Sequence, residues 1–463
     1  MSAEDVAALN DPLYSQFEGI GIEFAIINDT LTVQAPVMGG PSSKVGIVSG
    51  DKIVSVDGEN IADIGLTNEK VYKYLRGKKG TKVTLGIVRR GASELLIFDV
   101  VRDVIPLNSL DAAYLMDNGA LYVKLSRFAA SSYTELISAF KGKPGIKGLI
   151  LDLRGNSGGY MHIAVQITNE FLSRGDLIVY TEGRKKLNDI RQHADGSGAY
   201  PKGPLVVLVD ENSASASEIL AGAIQDQDRG VIVGRRTFGK GLVQQMLPLS
   251  DGSEIRLTVA KYHTPSGRVI QSPYKKGERE KYYQDVADRF DHGESFSKDS
   301  IHFADSLKFR TLVTNRVVYG GGGIMPDIFV LIDTSYYTPY YGSLIRKGVV
   351  SEYVNEISDL NRVKWLRKYP QFDLFDKKFR INDDIFDGLI EYGEKKGIPP
   401  VPQEIAVSRA TLENYVKALI ASNIYGRDEF YKVIHSGGDE ELEMAIDVIN
   451  NWDKYSDSLM IRK

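Results

Sequence analysis

The sequence predicts a multidomain α/β protein, and three observations predict it. Apolar strands alternate with helical stretches through residues 104–335, the pattern of a layered α/β core. Ahead of that core, residues 17–103 hold short apolar strands separated by turn signals, which reads as a small β-rich domain. Behind it, residues 336–463 read as helical, with Leu412, Tyr415, Val416, Leu419 and Ile420 at i, i+3, i+4, i+7 and i+8. A chain of 463 residues exceeds one ordinary domain.

Composition narrows the function. With 43% hydrophobic and 25% charged residues the chain is an ordinary soluble globular protein. A net charge of −4 gives no footprint for nucleic acid or an anionic membrane. No apolar run is long enough for an integral membrane span. The absence of cysteine excludes disulfides, thiol catalysis and cysteine-rich metal sites. Six histidines occur, none in a metal-ligand spacing, so no metal is expected.

In the β-rich domain the strands are Leu31–Gln34, Lys52–Gly58, Lys82–Val88 and Glu94–Val100. One helix fits between them, Asn68–Leu75, with Val71, Tyr74 and Leu75 on one side. Gly19 and Gly21 alternate with Ile20 and Ile22; on pattern alone this is a glycine turn before an edge strand. The basic turn Arg76-Gly-Lys-Lys-Gly80 reads as solubilising, with a tie from Arg76 to the next domain as the alternative.

In the core, Gly119–Leu125 is a strand, Ser132–Phe140 a helix, Gly148–Arg154 a buried strand and His162–Ser173 an amphipathic helix. The turn Gly155-Asn-Ser-Gly-Gly159 satisfies G-x-S-x-G between strand and helix, so an α/β-hydrolase with Ser157 as nucleophile is a rival reading. Asp176 and His263 supply an acid and a histidine for it, chosen by chain order alone.

Residues 204–245 carry the sharper chemistry. A strand ends at Asp210, a turn follows, and a helix opens at Ala214-Ser215-Ala216-Ser217-Glu218. A second strand, Val231–Gly234, leads to Thr237-Phe-Gly-Lys-Gly241. A serine at a helix start sits beside free N–H groups and the positive dipole end. A lysine serves as its base if burial keeps the amine neutral. The plain readings are a capping box, Ser215-x-x-Glu218, and a solvated lysine in a glycine-rich turn. Gly234-x-x-x-x-Gly239-Lys240 is nearly a P-loop, but Gly241 stands where the magnesium-binding hydroxyl belongs.

Asn212-Ser-Ala-Ser-Ala-Ser-Glu-Ile219 followed by Thr237-Phe-Gly-Lys-Gly-Leu-Val-Gln244 resembles the carboxyl-terminal processing (tail-specific) peptidases of family S41, and the 25-residue interval from Ser215 to Lys240 fits. The resemblance implies Ser215 as nucleophile, Lys240 as base and Gln244 orienting the amine. It implies oxyanion donors at the N–H of Ala216 and of a glycine in the Asp152–Gly159 segment, Gly159 or its alternative Gly158. It implies a crotonase-like core, a central sheet flanked by helices, with Arg256–Arg268 near the substrate channel. Phe17–Phe24 and Gly50–Gly58 resemble a PDZ domain, which would capture a substrate's terminal carboxylate at Gly19, Ile20, Gly21 and Ile22, with Arg76 nearby. Family members are usually exported, so a periplasmic or cell-envelope location is expected, with signal and leading helices missing ahead of residues 1–16; a complete chain would be cytoplasmic. Expected partners are proteins or peptides with free C-termini, with no cofactor. A bend is needed at Gln244, because a straight strand would carry it roughly 13 Å from Lys240. Lys275–Lys281 suggests a helical insertion or lid over residues 273–310, and the helical tail a structural or homo-oligomerising appendage.

Overall fold

Six strands between Leu110 and Phe329 form one sheet, five of them parallel. In chain order they are β6 (Leu110–Leu115), β7 (Ala120–Leu125), β8 (Gly148–Asp152), β11 (Leu205–Val209), β12 (Val231–Gly234) and β15 (Ile328–Phe329). Their order across the sheet is β15-β12-β11-β8-β7-β6, with only β6 antiparallel. Strands β8, β11 and β12 are buried at every residue. Their unbroken apolar runs suit a parallel sheet covered on both faces. The crossovers carry α2 (Ser132–Phe140), α3 (Met161–Asn169) and α4 (Ala216–Asp226).

The structure, a computed structural model, describes all residues except 1–5, 7–12, 15, 38, 49, 144, 185, 187–188, 273–288, 290–292, 295–303 and 462–463. The basic run expected to form a lid, Lys275–Lys281, lies outside the described residues.

A second sheet completes the core. It is four-stranded among the described residues, in the order β10-β9-β14-β13: β9 (Leu177–Gly183), β10 (Arg191–His193), β13 (Leu242–Pro248) and β14 (Glu254–His263). Helix α4 packs against β12 of the first sheet and β9 of the second. Every residue of α4 is buried, as a helix enclosed on all sides must be.

The chain divides into two compact units. One joins residues 1–15, 108–332 and 439–463; the other joins 16–107 and 333–438. In the second unit, β1 (Ile22–Ile27), β2 (Thr30–Pro36), β3 (Lys52–Val56), β4 (Lys82–Val88) and β5 (Leu96–Val101) form an antiparallel sheet in that order. Helix α1 (Asn68–Leu75) begins where Thr67 Oγ1 accepts from the Lys70 N–H and buries Val71 and Leu75 against the sheet's core. The helices of this unit are α5 (Pro339–Arg346), α6 (Val349–Lys368), α7 (Phe372–Lys378), α8 (Asp383–Lys395), α9 (Pro402–Tyr425) and α10 (Arg427–Ser436). The Pro-rich stretch Ile398-Pro-Pro-Val-Pro402 between α8 and α9 ends with Pro402 in the first turn of α9, where its missing N–H costs nothing.

Residues 439–463, which by sequence follow directly from those helices, cluster instead with residues 108–332. Helix α11 (Glu440–Asn450) packs on β8, β11 and β12. Leu149 and Leu151 face the core shared with α3 and α4, so by strand alternation Gly148 and Ile150 face away from it. Ile449 of α11 covers that second face: a Cβ on Gly148 would lie 2.7 Å from two Ile449 side-chain carbons. Gly148→Ala should therefore overpack the seam and cost about 1–3 kcal/mol, read as a lowered melting temperature. Adding Ile449→Val should recover part of that loss; no recovery would mean that α11 is not seated there.

Candidate active site

The turn between β11 and α4 places Ser215. Its backbone has φ 57° and ψ −111°, a left-handed conformation that a non-glycine residue holds only when its surroundings enforce it. The expected capping box is present. Glu218 Oε2 accepts from the Ser215 N–H at 2.8 Å, and the Glu218 N–H also meets the Ser215 carbonyl oxygen at 2.9 Å.

Glu218 does more than cap. It is fully buried, and its carboxylate collects four donors. Oε2 accepts from the N–H groups of Ser215, at 2.8 Å, and Lys240, at 2.9 Å. Oε1 accepts from the Gly239 N–H at 2.7 Å and the Thr237 hydroxyl at 2.6 Å. Thr237 Oγ1 in turn accepts from the Ile324 N–H at 2.6 Å, which directs the hydroxyl proton to Glu218. One side chain thus ties the serine turn to the lysine loop.

The glycine turn after β8 is bound to the same serine turn. The Asn156 carbonyl oxygen accepts from the Ala214 N–H at 3.0 Å and the Ser217 hydroxyl at 2.8 Å. Asp210 Oδ1 accepts from the N–H groups of Gly155 at 2.9 Å and Ser213 at 3.0 Å. Gly158 lies so close to the serine that a Cβ on it would sit 2.8 Å from Ser215 Cβ, so only glycine fits. The two glycines left open by the sequence differ here. The Gly158 N–H donates to Asn156 Oδ1 at 2.9 Å, whereas the N–H groups of Gly159 and Ala216 make no hydrogen bond among the described residues.

A cavity of about 630 Å³ opens at these loops, lined in part by Ser215, Lys240, Gln244, Gly159, Ser157 and Tyr262. Leu242, Val243, Met161 and Met246 add an apolar wall. The bend needed at Gln244 exists: the register of β13 against β14 shifts between Val243 and Gln244, as at a β-bulge, which re-aims a side chain. Two features differ from expectation. Lys240 was expected to be sheltered, but its side chain is exposed, because the cavity is open to water on that side. Nor is it paired with Ser215; its amine has no partner among the described residues. The Ser215 hydroxyl instead meets the phenol of Tyr262, whose buried ring and hydroxyl are pushed up to about 12 by burial, with Ser215 pulling slightly the other way. Sequence reasoning placed the segment around Tyr262 near the channel but did not single out this residue.

Neither proposed partner of Ser157 lines the cavity. Asp176 Oδ2 accepts from the Ser173 N–H at 2.9 Å, and His263 Nε2 lies 3.3 Å from Glu182. Arg268, buried at 1% exposure, holds the far end of α4 through Asp226 at 2.5 Å.

In the other unit, β1 is an edge strand of its sheet with α1 alongside: the Phe24 and Tyr72 rings stand 5.9 Å apart. The N–H groups of Ile20 and Gly21 make no hydrogen bond among the described residues, next to Gly19 and Ile22. The Arg76 guanidinium lies 5.0 Å from the centre of the Phe17 ring and 4.5 Å from that of Tyr72.

The Glu218 tie makes a sharp prediction. Burial raises this carboxyl, while Thr237, Lys240, Ser215 and Gly239 pull it down, and the net shift is upward. A raised carboxyl stabilises the fold fully below the ordinary carboxylate range and loses that contribution as pH rises through its raised value. Glu218→Gln would turn an amide NH2 toward buried donors and cost about 2 kcal/mol, measured by urea unfolding. That deficit should narrow as the pH rises.

Comparison with known proteins agrees with this layout. Residues 119–276 match Peptidase family S41, residues 19–100 match the PDZ domain, and residues 340–426 match a family of unknown function (DUF8443). The Carboxy-terminal-processing protease of Bartonella bacilliformis is 37% identical over 277 residues, 58% of this chain and 63% of that protein. The Carboxyl-terminal-processing protease of Synechocystis sp. is 39% identical over 263 residues, 55% of this chain and 60% of that protein. Among solved structures, a photosystem II D1 C-terminal processing protease is 29% identical with a TM-score of 0.35, over 71% of this chain and 76% of that one. The chain spans about three fifths of the length of the curated relatives it matches. Residues 119–276 are thus similar to peptidase family S41, and the PDZ match at residues 19–100 lies ahead of them in the chain.

Proposed function

We propose that this chain is a serine endopeptidase that cuts proteins near their C-termini with a Ser215–Lys240 dyad. The observation that carries the reading is the Glu218 carboxylate, which binds the backbones of Ser215 and Lys240 to one oxygen at the edge of a cavity of about 630 Å³.

The steps balance as follows. Ser215 Oγ attacks the scissile carbonyl carbon while Lys240 Nζ takes its proton. The carbonyl oxygen becomes an oxyanion, met by the N–H groups of Ala216 and Gly159, which have no other partner among the described residues. Lys240 then gives the proton to the leaving amine as the C–N bond breaks. Water, deprotonated by Lys240, attacks the acyl-enzyme; as the acyl C–O bond breaks, Lys240 returns that proton to Ser215 Oγ and the carboxylic product leaves. Because the Lys240 amine has no partner among the described residues, no bond must break before it turns to Ser215. A peptide filling the cavity would exclude water from it, and Gln244, on the same cavity wall, would orient it. No metal or organic cofactor takes part.

The PDZ domain would hold the substrate's tail by adding it to the β1 edge, with the carboxylate on the N–H groups around Gly19, Ile20, Gly21 and Ile22, and Arg76 beside them. The substrates are proteins or peptides with free C-termini, met in the periplasm or cell envelope. No helix among the described residues is long and apolar enough to cross a membrane. The helices of residues 333–438 are a structural or oligomerising appendage in this reading.

Ser215→Ala and Lys240→Ala should each abolish cleavage of a quenched peptide while leaving the melting temperature nearly unchanged. Ser157→Ala should stay active; the reverse pattern would instate Ser157. Amidating the peptide's C-terminus should weaken its binding to the full chain, measured by calorimetry, and equal binding would remove the carboxylate-capture step.

A further inference from the structure

Two arginines outside the cavity converge on one carboxylate. Arg154 opens the glycine turn that leads to Gly158 and Gly159, and Arg235 opens the loop that leads to Lys240. Both bond Glu441 of α11: Arg154 Nη1 meets Glu441 Oε2, and Arg235 Nη1 meets Glu441 Oε1. Asp439, two residues earlier, takes Arg154 by both terminal nitrogens at 2.8 Å and caps α11 through the Leu442 N–H at 3.0 Å. Arg154 is also held by Asp152 at 2.7 Å. Arg235 also donates to Glu211, at 2.8 Å, in the turn before Ser215.

We infer that Glu441 is a positioning residue that holds the oxyanion turn and the lysine loop in register. This rests on the active-site reading above. Its carboxylate spans the ends of β8 and β12, the strands on either side of the one that leads to Ser215. Neither arginine nor Glu441 lines the cavity, so the group acts only through the loops. Glu441 and Arg235 are buried, at 9% and 8% exposure. Without Glu441, Arg154 would keep Asp152 and Asp439 and Arg235 would keep Glu211, but the one carboxylate that joins the two arginines would be gone. Both backbones here end at atoms the reaction needs. The segment that supplies Glu441 lies beyond the helices of residues 333–438, so the catalytic loops depend on a piece of chain remote in sequence.

The test uses the full chain with Glu441→Ala, Glu441→Gln and Glu441→Asp. It reads kcat and KM on a quenched peptide with a free C-terminus, the rate at which a fluorophosphonate labels Ser215, and the melting temperature. For Glu441→Ala, kcat and labelling should both fall about tenfold or more while KM stays within about twofold, and Glu441→Asp should recover part of the loss. If Glu441→Ala does not fold, Glu441→Gln is read by the same criteria. A folded variant with wild-type kcat and labelling overturns the inference, even if its melting temperature falls. Ser215→Ala run alongside separates the two ideas: cleavage that survives it sinks the dyad itself, not the clamp.

Discussion

A single buried carboxylate, Glu218, is what the rest of the site depends on. It sits on the first turn of α4, so its position is set by the helix, and it accepts from the two loops that follow the neighbouring parallel strands β11 and β12. All four partners are donors, three of them backbone N–H groups that would otherwise be buried unpaired. The ionised form satisfies all four. Removing it would take away the ties made directly at Ser215 and Lys240, leaving the Phe238 N–H on the Ser213 carbonyl oxygen and Arg235 on Glu211 to join the two loops.

That tie also explains how Ser215 keeps a strained backbone. A non-glycine residue at φ 57° is unfavourable by itself, so both sides of the turn must be held. On the helix side, α4 is enclosed between two sheets, and its far end is clamped by Arg268 on Asp226 and by Arg316 on Asp228 at 2.7 Å. On the turn side, Asp210 and Asn156 bind the preceding residues to the glycine turn. Ser215 is thereby presented at the cavity, and Tyr262 is the hydroxyl it meets there.

The charged layer behind these loops follows a similar logic with different chemistry. Asp152 is fully buried, which alone would raise it, yet Arg154 and Lys124 hold it well below the usual carboxylate range. Arg154 and Arg235 then require further acids, which α11 supplies. Burying aliphatic side chains such as Val448 and Ile449 of α11, each worth about 1.5–3 kcal/mol, brings those acids to the arginines.

Much of this was legible from one dimension. The strand and helix periods placed Asn68–Leu75, Ser132–Phe140 and Leu205–Val209 where the structure has them, because local alternation and capping decide such elements. The serine and lysine motifs stood out because their residue types and interval are unusual. Other features depended on through-space neighbours. Gly158 and Gly159 are equivalent in sequence, and only the Asn156 side chain, folded back on the Gly158 N–H, distinguishes them. The bulge at Gln244 arises from pairing with β14. The openness around Lys240 and the meeting of Glu441 with two arginines more than 200 residues away are matters of packing. The sequence by itself determined the elements and the reactive side chains, since these follow from short-range periodicity and residue chemistry. Which N–H stays free, which hydroxyl faces Ser215 and what holds the loops were decided by tertiary structure, because each is a contact between segments that no local pattern encodes.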